Sequence, residues 1–238
     1  MKKILRKRKT LGILGGMGPL ADVTFLKRLH ESTYACYDCE YVPVIYDGNC
    51  LRPDRSAYLS GKSKFSPFFS LRASFKALER NGAGVIAMPC NTAHFWYGRL
   101  KKLKKRSTVF LDIVKETALL CQSKGLFKVC LLSTEGTRKK DLYGEAMFRM
   151  GIDLIYPEKE LANEVSALIK RIKRGEDISL EGLEAKLEDV DCDGFILGCT
   201  ELSVAFERTR NPSFTYIDSL SALAVACVKA CGAEQKQG

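Results

Sequence analysis

"GVIAMPCNTA" (residues 84–93) and "GFILGCTEL" (residues 194–202) follow one plan. An apolar run ends on a cysteine, and short polar side chains then lead into a helical pattern. Such a run reads as a buried strand, and buried strands alternating with helices build a parallel sheet. Each thiol is therefore expected at the carboxyl edge of a sheet, where open α/β folds bind their ligands.

Two further echoes flank this one. "LGILGGMGP" (11–19) has a counterpart in "VCLLSTEGT" (129–137), and "FLDIVKETALLC" (110–121) in "YIDSLSALAVAC" (216–227), with the aspartate and the last cysteine in register. Three pairs in the same order indicate an internal duplication. Candidate strands are Leu11 to Leu14, Val42 to Tyr46, Val85 to Met88, Thr108 to Asp112, Lys128 to Ser133, Asp153 to Tyr156, Gly194 to Leu197 and Thr215 to Asp218. Helical patterns fall between them, as at Ala21 to Ser32, Ser66 to Asn81, Leu161 to Arg174 and Leu180 to Asp189. The expected class is α/β: two similar α/β domains with mostly parallel sheets, related by a pseudo-two-fold axis, with the active site in the cleft between them. The expected boundaries are 1–111, carrying Cys90 and joined by the C-terminal segment 209–238, and 112–208, carrying Cys199.

Composition agrees with a globular chain. Its 238 residues are 46% hydrophobic, with no apolar run of the roughly 20 residues that span a bilayer. The charged start "MKKILRKRKTLGILGGMGP" does not read as a signal peptide, so a cytoplasmic location without membrane attachment is expected. Ten cysteines scattered along strands and helices read as reduced and mostly buried thiols. "CYDC" (36–39) has half the spacing of a zinc site but no second pair, and the chain has only two histidines, His30 and His94; no metal is expected. The net charge of +10 collects in "KKILRKRK", "RLKKLKKR" and "KRIKR". Without interleaved aromatics or a nucleic-acid signature these runs read as solvated surface, and no nucleic acid partner is expected. "GGMGP" lacks the lysine of a P-loop and the spacing of a dinucleotide turn, so no nucleotide is expected either.

At a helix N-terminus, unpaired N–H groups and the positive dipole end should draw the pKa of Cys90 and Cys199 from about 8.5 toward neutrality. Asn91, Thr92 and Thr200 add short hydrogen-bonding side chains beside them. Two opposed thiols suit proton transfer on both faces of one carbon, one as base and one as acid, inverting the centre without a cofactor. His94, one helical turn past Cys90, reads as a packing or supporting residue.

Taken together, "GILGGMGPLA", "RPDRSAYLSGK", "MPCNTAH", "STEGT", "IKRG" and "LGCTEL" resemble the aspartate/glutamate racemase family of cofactor-independent enzymes, and its aspartate racemase branch most. The resemblance runs from about Leu11 to the last helix. It implies that Cys90 and Cys199 are the catalytic pair, exchanging the roles of thiolate base and thiol acid with direction. It implies further that Met17 lies in a loop closing on the substrate, and that Asp54, Arg55 and Ser56 reach the substrate carboxylates. Asn91, Thr92 and Ala93 from one side, and Thr200 and Glu201 from the other, would cradle the α-carboxylate side, while Lys173 would lie near the distal carboxylate. The implied partner is a small acidic amino acid, aspartate first and glutamate second, and the family implies a homodimer. "DGNCLRPDRS" departs from the family's usual run, with Ser56 in place of threonine. Two alternatives stay open at this point: a lyase or cis–trans isomerase on the same scaffold, and a non-catalytic amino acid binding protein.

Overall fold

The computed structural model describes residues 8–207 and 211–236; most of the first basic run, residues 2–7, lies outside them. The first half contains β1 (Leu11–Leu14), α1 (Pro19–Glu31), β2 (Val44–Asp47), α2 (Arg55–Leu59), α3 (Phe68–Arg80), β3 (Val85–Ala87), α4 (Tyr97–Lys101) and β4 (Val109–Phe110). After α5 (Ile113–Ser123), the second half contains β5 (Lys128–Leu132), α6 (Glu135–Lys139), α7 (Gly144–Arg149), β6 (Asp153–Ile155), α8 (Lys159–Lys173), α9 (Glu181–Leu187), β7 (Gly194–Leu197), α10 (Thr200–Phe206), β8 (Tyr216–Asp218) and α11 (Ser219–Cys231).

The strands form two four-stranded sheets, ordered β2-β1-β3-β4 and β6-β5-β7-β8, with every pairing parallel. The second order repeats the first, so the duplication read in the sequence is a duplication of topology. All eight strands stand where the apolar runs put them. Most edges are trimmed where the ladder ends, and β4 keeps only Val109 and Phe110 of the five residues expected; β2 starts two residues late and runs on to Asp47, which pairs with Leu14.

Side-chain alternation sorts the cores the same way in both halves. Leu11, Ile13, Val85 and Ala87 of the first sheet face a central core, which also receives Val129, Leu131 and Ile196 of the second. Ile86 and Met88 turn outward onto α3, and Cys130, Leu132, Phe195 and Leu197 turn outward onto α8, α9 and α10. Such double-sided burial explains why these strands read as continuous apolar runs rather than alternating ones.

Two helices exchange sides in the central core. α5 leaves the first sheet and packs on β8 and α7, whereas α11 leaves the second sheet and packs on α1 and β3; α5 and α11 lie against each other. Both start at the aspartates matched in the sequence. Asp112 accepts the N–H groups of Val114 and Lys115, and Asp218 accepts that of Leu220, each satisfying orphan donors of the first turn. α11 stops at Gly232, whose φ of +76° is the left-handed cap that glycine adopts without strain. The expectation that residues 209–238 as a whole join the first half needs one correction: Tyr216–Asp218 completes the second sheet beside β7, and the crossing begins only at Ser219. A strand whose three residues extend β7's ladder is better hydrogen-bonded there than anywhere in the first sheet, whose order ends at β4.

No helix among the described residues is long and apolar enough to cross a membrane.

Candidate active site

Each cysteine sits just past a central strand. Cys90 follows β3 and leads into a 3₁₀ turn at Thr92–Trp96, while Cys199 follows β7 and caps α10 with extended backbone. Both are 5% exposed. The N–H of Ala93 faces the Cys90 sulfur, and that of Glu201 faces the Cys199 sulfur. The two thiols line one cavity with Met17, Asp54, Arg55, Ser56, Asn91, Thr92, Thr134, Lys173, Thr200 and Glu201. Eleven of the twelve residues singled out in the sequence therefore converge, and the twelfth, Ala93, contributes its backbone N–H. Residues from both halves make the walls, as a cleft between duplicated sheets requires.

The cavity is narrow, with a volume of about 20 Å³, room enough for a water molecule but not for an amino acid. Closure overturns one expectation. Burial, the largest influence on both thiols, holds the pKa of Cys90 above its ordinary value and that of Cys199 well above it. Removing water from a would-be thiolate costs more than the one or two N–H groups of a short helix or 3₁₀ turn return. The cations act against burial: Arg55 pulls Cys90 down, and Lys173 pulls Cys199 down.

Arg55 is prepared for an anion. Asp54 caps α2 by accepting the Ala57 N–H at 2.6 Å, which fixes Arg55 at the first position of the helix. Its guanidinium donates to the carbonyls of Met17 at 3.1 Å and Pro53 at 3.4 Å and pairs with no carboxylate among the described residues. Ser56 reaches across the cleft, its hydroxyl accepting the Gly136 N–H at 3.1 Å. Lys173, the last residue of α8, has a side chain 37% exposed and an ammonium 3.5 Å from Glu201 Oε1.

Glu201 is 4% exposed, and its Oε2 accepts the Cys199 thiol proton at 2.9 Å. Its Oε1 has no hydrogen-bond partner among the described residues. The room for this carboxylate comes from Gly18, where a Cβ would stand 2.5 Å from Oε1. Asn91, by contrast, is fully engaged: it donates to Ser219 Oγ at 3.0 Å and accepts from the Tyr143 hydroxyl, tying the Cys90 loop to α11 and to Tyr143 just ahead of α7.

His94 supports Cys90 from behind. Its Nε2 accepts the Ile113 N–H at 3.1 Å, so Nδ1 carries the proton and donates to the Cys90 carbonyl at 2.9 Å. Burial holds its pKa below the ordinary value, keeping the ring neutral.

Two contributors escaped the sequence reading. Thr134, the cap of α6, closes a triangle of hydroxyls with Thr92 at 2.9 Å and Thr137 at 3.1 Å, joining the halves at the cavity wall. Its signal was present: "STEGT" repeats the position of the glycine loop. Arg52, 5% exposed, donates to the carbonyls of Gly15 and Asn49, to Asp47 at 2.9 Å and to Ser74 at 2.6 Å, holding the glycine loop in place. Nothing local marks it, because its partners come from separate segments. Among the described residues, no group of three or more His, Cys, Asp or Glu side chains is placed to hold a metal ion.

The chain matches the Asp/Glu/hydantoin racemase family over residues 14–227. A structural comparison aligns it with the aspartate racemase of Picrophilus torridus, at a TM-score of 0.80 and 30% identity over 96% of each chain. The broad specificity amino-acid racemase RacX of Bacillus subtilis (strain 168) is 26% identical over 229 residues, covering 92% of this chain and 96% of its own. A glutamate racemase from Francisella tularensis in complex with D-glutamate shares the fold, with a TM-score of 0.69, 16% identity and coverage of 98% and 85%.

Proposed function

The chain belongs to the Asp/Glu/hydantoin racemase family, whose relatives here are amino acid racemases and hence isomerases, and on that premise we propose that it interconverts L- and D-aspartate through Cys90 and Cys199. The observation that carries this reading is the convergence of two buried thiols, one from each duplicated half, on a single cavity with two cations.

In this reading the halves part to admit the substrate and close again over it. Arg55 and Lys173 receive the distal carboxylate; the N–H groups beyond each cysteine, with Thr92 and Thr200, receive the α-carboxylate. Glu201 is a poor partner for a carboxylate, and its Oε1, which faces only the Lys173 ammonium at 3.5 Å, suits the substrate ammonium once Lys173 turns to the distal carboxylate. One cysteine, as thiolate, takes the α-proton; the other, as thiol, delivers its proton to the opposite face. Protonation states are thereby exchanged between the two sulfurs, which readies the site for the reverse direction. The carbanion's charge spreads onto the α-carboxylate, where backbone dipoles already point, and the closed cavity keeps water from competing for it.

Aspartate is favoured over glutamate by the likeness to an aspartate racemase. A broad acidic specificity is the second reading, favoured by the likeness to RacX. Incubation with L- and D-aspartate, then glutamate, in D₂O tests both. Exchange of the α-proton with convergence to equal enantiomers is expected for aspartate. Release of CO₂ or an unsaturated acid, or no exchange with any acidic amino acid, would overturn the assignment.

A further inference from the structure

A string of three hollows connects the thiols to the surface. The inner cavity shares Asp54, Ser56, Thr134 and Lys173 with a hollow of about 310 Å³. That hollow in turn shares Lys62, Glu135, Ser166 and Lys170 with an outer trough of about 470 Å³. Its floor is one face of α8, where Asn163, Ser166 and Ala167 are small and Lys170, Arg171 and Arg174 come next at helical spacing.

The charge of the outer trough is one-sided. Five cations line the trough against a single carboxylate, Glu135, which pairs with Lys62 and Lys139. Arg171 and Arg174 share Glu176. Arg138 and Lys170 pair with no carboxylate among the described residues, and Lys173 stands at the inner end with its ammonium turned into the cavity.

The geometry points to an outer anion-binding vestibule: the dicarboxylate docks first between Arg138 and Lys170, then moves inward past Lys173 to the thiols. The middle hollow has the room that the closed inner cavity lacks, and a basic cleft raises the local concentration of an anion before it reaches its site. Lys62–Glu135 and Ser56–Gly136, which bridge the halves at this mouth, must separate for the substrate to pass. The identity of the anion rests on the racemase reading; the route and its charge selectivity do not.

The test is therefore made on the thiols as well as on turnover. Wild-type protein is alkylated with anionic iodoacetate or neutral iodoacetamide, and Cys90 and Cys199 are read by peptide mapping, with exposed Cys36, Cys39 and Cys50 as internal controls. The double variant Arg138→Glu/Lys170→Glu should lower the iodoacetate rate at Cys90 and Cys199 by on the order of tenfold at low ionic strength. The iodoacetamide rate should stay within about twofold, and the difference should vanish near 0.5 M salt, where the Debye length falls below about 5 Å. Ser166→Phe, at the junction of the two hollows, should slow both reagents without lowering Tm. For an acidic amino acid, kcat/KM should fall in parallel with the iodoacetate rate while kcat holds. An iodoacetate rate unchanged by the double variant, or both rates unchanged by Ser166→Phe, overturns the vestibule. Charge-selective alkylation without turnover of any acidic amino acid supports the vestibule and overturns the racemase reading alone.

Discussion

The Cys199 thiol donates to the Glu201 carboxylate at 2.9 Å, and Cys90 has no such partner among the described residues. Two residues past Cys90 the duplicated frame carries Thr92 instead. Topologically equal thiols are thus electrostatically unequal, with Glu201 the strongest charge raising Cys199 and Arg55 the strongest charge lowering Cys90. Glu201→Gln should lower the thiol pKa of both, and of Cys199 more. The pH dependence of iodoacetamide alkylation at each site measures this, and a larger shift at Cys90 would contradict the assignment. Turnover should drop by on the order of tenfold, because Lys173 loses its counter-charge.

Removing either sulfur should separate the two half-reactions. Cys90→Ala and Cys199→Ala should each reduce racemisation by roughly 10²–10⁴-fold or more. In D₂O each variant should still exchange the α-proton of one enantiomer, and the two variants should choose opposite enantiomers. Exchange of the same enantiomer by both would show that the thiols do not address opposite faces.

Gly18 offers a change that touches the site but not the frame. The Cβ of Gly18→Ala would meet the far end of the Glu201 side chain at 2.5 Å, so that side chain can swing aside. Thermal stability should change by less than about 1 kcal/mol, within the range of a tolerated substitution. Turnover should fall at least about tenfold as Glu201 leaves both Cys199 and Lys173. A large loss of Tm would instead mean that the glycine serves the loop's backbone.

Alkaline pH should destabilise this protein through its buried thiols. Burial pushes Cys121, Cys130 and Cys231 each up to about 12, and Cys227 well above its ordinary value. In the unfolded chain they ionise at about 8.5. Above that pH the folded state holds more protons than the unfolded one, so stability falls as pH rises, while below it the full contribution is present. Tm should decline steadily from about pH 8.5 to 11, and Cys121→Val should make the decline shallower. A flat profile in that window would contradict the burial of these thiols.

Much of this was legible along the chain because both halves obey the same local rules. Apolar runs marked eight strands, most clearly the central ones, which are buried on both faces, and the matched aspartates at 112 and 218 closed the last expected strand of each half. The cysteine loops were legible for the same reason: polar groups collect where a buried strand ends and the chain turns toward a helix. The thiol pKa was not legible. It depends on how tightly the halves close, and no run of residues encodes that. Nor was the Cys199–Glu201 bond, because along the chain Glu201 reads as the second residue of a helix and only in space as a neighbour of Lys173. His94 was read as supporting, and the structure assigns it both of its hydrogen bonds. Arg52 stayed invisible because its partners are spread from Gly15 to Ser74.

The exchanged helices also constrain the ancestry of the protein. A half-length precursor with this topology would have kept the cover of its own α1 but lost that of α11 over Val85 and Ala87, since that helix now follows the last strand of the other half. Trading its last helix with a twin would have restored that cover. In a swapped pair of such halves the reciprocity would hold between two chains; here a single polypeptide makes it permanent. Two joined copies are free to differ, and Thr92, at the position where the other half carries Glu201, is one place where these do.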